Sequence, residues 1–347
     1  MHTAALAEIT HLINESIRLT YTEPHASLKL AEDASRLASA CPEPLLAASA
    51  WQRYGNMLFA FGQIPEGQMA HLKALTIAET EDLPALRGEL LQELAGAYYT
   101  QGDFDEAISY WADCLTGDAN GFSTETRIYA YIGLGQVYFA HEQFPMALAQ
   151  HLNAQALTTD QMTLELRARV WINLAADQIA LHLWQDANAT LDLAWPLALK
   201  DGHKEYQGEI LVYRAEVALG LGDTATAWDF VAQAEQLRRV WHWGETSELM
   251  LKSRILVAEG RLDAALKAIH HALDRSNETG TGHKTFKAHH LLAQIYRQLG
   301  DQPAAEHHHR LYQEAYKRIV STSSYNKLQA LEQRLASGIS PTSAPHP

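Results

Sequence analysis

A chain of 347 residues with 47% apolar composition can bury a large core, which excludes wholesale disorder. Its formal charge of −14, from 41 acidic and 27 basic residues, repels phosphate backbones and anionic lipid, so neither nucleic acid nor a membrane is an expected partner. Two cysteines, Cys41 and Cys114, make neither a disulfide framework nor a four-ligand metal site and fit a reducing, cytoplasmic compartment.

The first residues, MHTAALAEITHLINESIR, lack a basic region followed by an apolar run, so no signal peptide is expected. No apolar stretch reaches the roughly 18 residues that would cross a bilayer. From there a period governs the chain. Ser27, Gly67, Ala107, Ala147, Ala187, Ala227, Ala265 and Ala305 follow one another at spacings of 40 residues, with one step of 38. Upstream of each lies a helical stripe: Leu91, Leu94, Ala95 and Tyr98, then Tyr131, Leu134, Gly135 and Tyr138, then Trp171, Leu174 and Ala175, and near the end Leu292, Ala293 and Tyr296. The spacing i, i+3, i+4, i+7 predicts amphipathic helices. A second stripe follows each small residue: Trp111 and Cys114, Leu191 and Ala194, Val231 and Ala234, Ile269 and Ala272. Between the two stripes sits a short break, commonly with glycine: Gly62, Gly102, Gly222, Gly260, Gly300. The pattern predicts helix pairs near 5–42, 45–82, 84–120, 124–160, 163–200, 203–240, 243–278 and 283–320. A closing helix is expected over 323–337 and a disordered Ser/Pro tail over 338–347.

The acidic stretch QGDFDEA at 101–107 reads at first as a carboxylate site. Its siblings argue otherwise. Asp103 becomes Gln63, Gln143, Arg261 and Asp301 in other copies, and Asp105 becomes Pro65, Pro145 and Gln185. Helix-turn-helix chemistry, with acids favoured at a helix start, accounts for the stretch.

Leu94-Ala95-Tyr98-Ala107-Trp111, Leu134-Gly135-Tyr138-Ala147-Ala154 and Trp171-Leu174-Ala175 resemble the tetratricopeptide (TPR) pattern over about residues 5–320. In the sixth and seventh copies Arg214 and Lys252 stand where leucine is expected. The period near 40 is similar to the long-helix TPR regions of bacterial signalling proteins, in which such arrays precede cyclase or histidine kinase outputs. Residues 311–335 resemble the closing helices that lead into those outputs. The resemblance implies an all-α, right-handed α-solenoid of about eight helix pairs with a C-terminal capping helix. It also implies a concave groove lined by the first helix of each pair, and an adaptor or sensor role with any output acting in trans.

Carrying the family's groove turns onto this sequence gives Gln52, Asn56, Phe59, Gln92, Tyr99, Ile132, Gln136, Phe139, Arg169, Ile172, Asn173 and Ile179 as peptide-binding candidates. Such a groove implies a protein or peptide segment as partner. The chaperone-type carboxylate clamp is absent, because its positions read Gln92, Gly96, Gly133 and Arg169. A homodimer through the C-terminal helix is a further expectation.

Eighteen histidines raise a second possibility, a small-ligand or metal receptor. His270–His271, His289–His290 and His307–His308–His309 lie on three successive helices, and His271, His290 and His308 are weak metal candidates. Neighbouring histidines on a helix diverge by about 100°, so one site uses only some of them. The shared repeat position of His71, His151 and His309 argues for packing. Trp241-His242-Trp243 is expected to pack a loop. No G-x-S-x-G, P-loop, H-E-x-x-H or dinucleotide fingerprint is present, so neither catalysis nor a cofactor is expected.

Overall fold

The computed structural model describes residues 2–116, 121–237, 244–278 and 282–337. Among these residues the chain is all helical, in consecutive pairs. The pairs are α1 (His2–Leu19) with α2 (Pro24–Ala38), α3 (Pro44–Ala60) with α4 (Ile64–Thr80), α5 (Pro84–Gln101) with α6 (Phe104–Thr116), and α7 (Thr124–Ala140) with α8 (Phe144–Leu157). They continue as α9 (Leu164–Ala180) with α10 (Trp184–Asp201), α11 (Lys204–Gly220) with α12 (Thr224–Glu235), α13 (Glu245–Ala258) with α14 (Leu262–Glu278), and α15 (Gly282–Leu299) with α16 (Gln302–Ile319). A single helix, α17 (Thr322–Ser337), follows. The expected eight helix pairs and closing helix are therefore present. Trp241-His242-Trp243 and the tail 338–347 lie outside the described residues.

Local chemistry sets the helix ends. Pro24 and Pro44 open α2 and α3, where a missing N–H costs nothing. Thr163, Asp223 and Asp301 accept hydrogen bonds from the backbone N–H of Leu166, Thr226 and Ala304. The turn inside a pair needs a left-handed residue. Gly102 takes φ +87° there without strain, whereas Glu142 and His182 take φ +59° at the equivalent places.

The periodic small residues are the closest packing points. Ser27, Ala107, Ala147, Ala187, Ala227, Ala265 and Ala305 are all 0% exposed. Any larger side chain there would hold the paired helices apart. The two basic residues at leucine positions are accommodated at the edge of the core. Arg214 reaches Asp192 at 2.7 Å with its guanidinium over the Trp195 ring, and Lys252 bridges Glu235 at 2.5 Å and Glu248 at 3.0 Å.

The chain forms two compact units. The first comprises Met1–Tyr99, Asp105–Ala130 and the segment that starts at Asn326, and the second comprises Thr100–Phe104 and Tyr131–Tyr325. In the first unit, α17 packs on α6, more than 200 residues earlier in sequence. Lys327 Nζ donates to the Asp105 carbonyl at 2.8 Å and to Ser109 Oγ at 2.9 Å, and Arg334 donates to Thr116 Oγ1 at 2.9 Å. Leu328 and Leu331 of α17 are buried. Replacing Leu328 and Leu331 by alanine removes about 2–5 kcal/mol at each position. The expected result is rapid limited proteolysis near Val320 under conditions where the native chain stays intact, scored by fragment mass.

No helix among the described residues is long and apolar enough to cross a membrane. Cys114 is a buried thiol against the Gly88 carbonyl, and burial raises its pKa. It is a packing residue and poorly suited to act as a nucleophile.

Candidate binding face on the first helices

In the first unit, polar side chains of α3 reach the next first helix, α5. Gln52 Nε2 donates to Glu89 at 3.2 Å and to both carboxylate oxygens of Glu93 at 3.3 and 3.2 Å. Asn56 Nδ2 donates to Glu93 at 3.1 Å. Behind them lies the fully buried ring of His71 on α4, with Nε2 3.2 Å from the Gln52 carbonyl and 3.6 Å from Glu93. Burial pushes the Glu93 carboxyl up to about 8, against the two amide donors and with help from Glu89. Burial also pushes His71 down to about 4. Both shifts favour a neutral pair at neutral pH.

The same construction recurs in the second unit. Gln136 Nε2 donates to Asn173 Oδ1 at 3.1 Å, and Arg169 Nε donates to the Tyr206 hydroxyl at 2.5 Å with Glu165 at 3.5 Å from its guanidinium. Farther along, Glu216 pairs with Arg254 at 3.1 Å, and Tyr213 donates to Glu209 at 3.3 Å. Burial raises the Glu209 carboxyl, against the pull of Lys284 and Arg169. Burial lowers Lys284 to about 8 although Glu209 opposes it. Lys287 of α15 places its ammonium 4.7 Å from the centre of the Phe139 ring of α7.

The twelve candidates divide on these facts. Gln52, Asn56, Gln92, Gln136, Arg169 and Asn173 are half-buried on the first helices, and all but Gln92 join a cross-repeat hydrogen bond described above. Phe59, Tyr99 and Phe139 are also half-buried: Phe59 is edge-on to His71 at 4.6 Å, Tyr99 tilts on Trp111 at 6.1 Å, and Phe139 meets Phe144 at 5.1 Å. Ile132, Ile172 and Ile179 are 3%, 2% and 7% exposed and are buried in the core. Ile172 and Ile179 share a core cluster with Leu191 of α10 and with Tyr206 and Ile210 of α11.

Sequence reasoning missed Glu89, Glu93, Tyr206, Glu209, Lys284 and Lys287. A signal existed for three of them. Gln52–Glu89, Asn56–Glu93, Gln136–Asn173 and Arg169–Tyr206 are each 37 residues apart. That is one repeat less about a turn of helix, the offset at which side chains of successive first helices meet.

The histidines separate into braces and a stack. Gly55 leaves room for His71 and Gly135 for His151, and each imidazole Nε2 contacts the carbonyl three residues before its glycine, Gln52 at 3.2 Å and Ile132 at 3.1 Å. His151 Nδ1 also meets buried Asp177 at 2.5 Å. On α14, α15 and α16, His270 contacts the Tyr296 hydroxyl at 3.0 Å, Tyr296 stacks on His308, and His308 Nδ1 lies 3.1 Å from His289 Nδ1. Burial lowers the pKa of His289 and brings His308 to about 4. Of the weak metal candidates, His271 and His290 are exposed and only His308 joins this stack, with His289 as its partner. Among the described residues no three His, Cys, Asp or Glu side chains converge on a metal position.

Consecutive helix pairs joined at buried small residues define an α-solenoid. The tetratricopeptide repeat family model matches residues 246–318. Outer dynein arm-docking complex subunit 4 from Xenopus laevis is 26% identical over 167 residues, which is 48% of this chain but only 31% of that protein. Among solved structures, a Rap protein complexed with competence and sporulation factor has a TM-score of 0.59 at 14% identity, covering 95% of this chain and 97% of that one. NprR in complex with its cognate peptide NprX has a TM-score of 0.59 at 11% identity, covering 95% and 96%. The apo quorum sensor NprR from B. thuringiensis has 0.59 at 15% identity, covering 90% and 87%. The tetratricopeptide repeat model thus matches residues 246–318, and the chain as a whole shares its all-helical fold with these solved structures.

Proposed function

We propose that the chain is a non-enzymatic scaffold that holds a protein or peptide segment against its first helices, as an adaptor or sensor in signalling. The observation that carries this reading is that, within each unit, half-buried amides and charged groups link successive first helices. Such an arrangement gives a bound segment hydrogen-bonding partners at regular steps on a rigid framework. Two solved structures with this fold are complexes with a named peptide or factor, which supports the same reading. A fold hosts many functions, so the argument rests on the face itself.

The test is capture from a native lysate by the full chain and by a Gln136→Ala, Asn173→Ala variant. Both side chains are half-buried; Gln136 donates to Asn173, and Asn173 donates to the Arg169 carbonyl at 2.8 Å, so the variant should lose no more than about 2 kcal/mol of stability. A partner retained by the native chain and lost by the variant is the expected outcome. Retention of the same proteins by both would place binding elsewhere.

A further inference from the structure

Lys287 of α15 rests its ammonium on aromatic rings. Among the described residues no carboxylate forms an ion pair with it. Its ammonium lies over the Phe139 ring at 4.7 Å and is 6.0 Å from the centre of the Phe286 ring. The groups that act on it come from several elements of the second unit. Glu142 follows α7, Glu216 lies on α11, Arg254 on α13 and Lys284 on α15. Glu216 is already engaged by Arg254 at 3.1 Å. Glu209, the carboxylate nearest in effect to Lys284, is itself biased by burial toward its neutral form. In a chain with 14 excess negative charges, Lys287 thus has the cations Lys284 and Arg254 acting in its neighbourhood, and Glu216 there is already held by Arg254.

A half-buried ammonium with no carboxylate in contact gains when an anion joins it. We propose that Lys287, flanked by Lys284 and Arg254, seats a carboxylate of the bound peptide, with Phe139 under the adjoining residue. This deepens the reading of the second unit as a peptide-binding face and rests on it. A carboxylate fits better than a phosphate. Glu142 and Glu216 border the seat and would repel a dianion, and a lysine ammonium acts as a point charge without the bidentate fork that favours phosphate. The burial-lowered pKa of Lys287 agrees with a site whose charge awaits a partner.

A terminal or a side-chain carboxylate could fill the seat, and one experiment separates them. A randomised hexapeptide pool with free C-termini and the same pool with C-terminal amides are each passed over the full-length protein, and retained peptides are identified by mass. The comparison proteins are Lys287→Met and, as a control at an exposed lysine, Lys267→Met. Lys287→Met removes a poorly solvated charge, so it should fold with a melting temperature no lower than the native protein. Enrichment from the free-acid pool alone, weakened about tenfold or more by Lys287→Met and untouched by Lys267→Met, assigns the seat to a terminal carboxylate. Enrichment of Asp- or Glu-containing peptides from both pools, with the same loss in Lys287→Met, assigns it to a side-chain carboxylate. Peptides retained equally by native and Lys287→Met proteins overturn the seat and leave peptide binding standing. Retention of nothing from either pool overturns both.

Discussion

Glu93→Gln is expected to raise the melting temperature by about 5 °C or more at pH 8 and to leave it unchanged at pH 4.5. The carboxyl ordinarily titrates near 4.5, and burial beside Glu89 moves it up to about 8 in the folded chain. An acid with a raised folded pKa favours folding while it is protonated in both states. Its contribution therefore declines as pH rises from about 4.5 and is fully lost above about 8. The side chain is only 18% exposed, so solvent relieves little of this, and the span amounts to about 3–5 kcal/mol. Glutamine keeps an acceptor for Gln52 and Asn56 but carries no charge to desolvate. His71 runs with the opposite slope: its folded pKa is depressed from 6.5 to about 4, so its contribution is present above 6.5 and lost as pH falls toward 4. The native protein should therefore melt highest between these limits. Thermal melts of both proteins from pH 4.5 to 8.5 check this, and parallel curves would refute the assignment.

The fold was legible because a small residue repeats where two helices touch. Ser27, Gly67 and the six alanines that follow mark the place where each pair closes, and a period of 40 is visible without any knowledge of neighbours. The face was only partly legible. Gln52, Asn56, Gln136, Arg169 and Asn173 came from the family resemblance, by carrying its groove turns onto this sequence, and all five are half-buried on first helices. Ile132, Ile172 and Ile179 are buried, because an apolar residue at a groove turn is also a good core residue. Lys284 and Lys287 were out of reach for another reason. Lys287 meets Phe139, 148 positions earlier, and no single-repeat pattern encodes a contact made over that distance.

Gly135→Ala is the second large expected effect, and its size should depend on Asp177. A β-carbon at position 135 would fall 2.3 Å from His151 Nε2 and 2.5 Å from its Cδ2, so the ring must move. The ring has nowhere to go. It is buried, with Nε2 on the Ile132 carbonyl and Nδ1 on Asp177 Oδ2 at 2.5 Å. Displacing it strands a carboxylate that is 0% exposed, whose second oxygen already lacks a partner. Overpacking plus loss of a buried partner costs about 3–5 kcal/mol. Gly55→Ala makes the same clash with His71, at 2.1 Å from Cδ2. There, however, the position that corresponds to Asp177 is Ala97, so no carboxylate is stranded and the cost falls to about 1–3 kcal/mol. Urea melts of the two variants measure the difference. Adding Asp177→Ala to Gly135→Ala should then recover part of the loss, because the orphaned charge is gone and only the steric cost remains. Equal losses at positions 55 and 135, or no recovery in the double variant, would show that the glycine–histidine contact alone carries the brace and that Asp177 adds nothing to it.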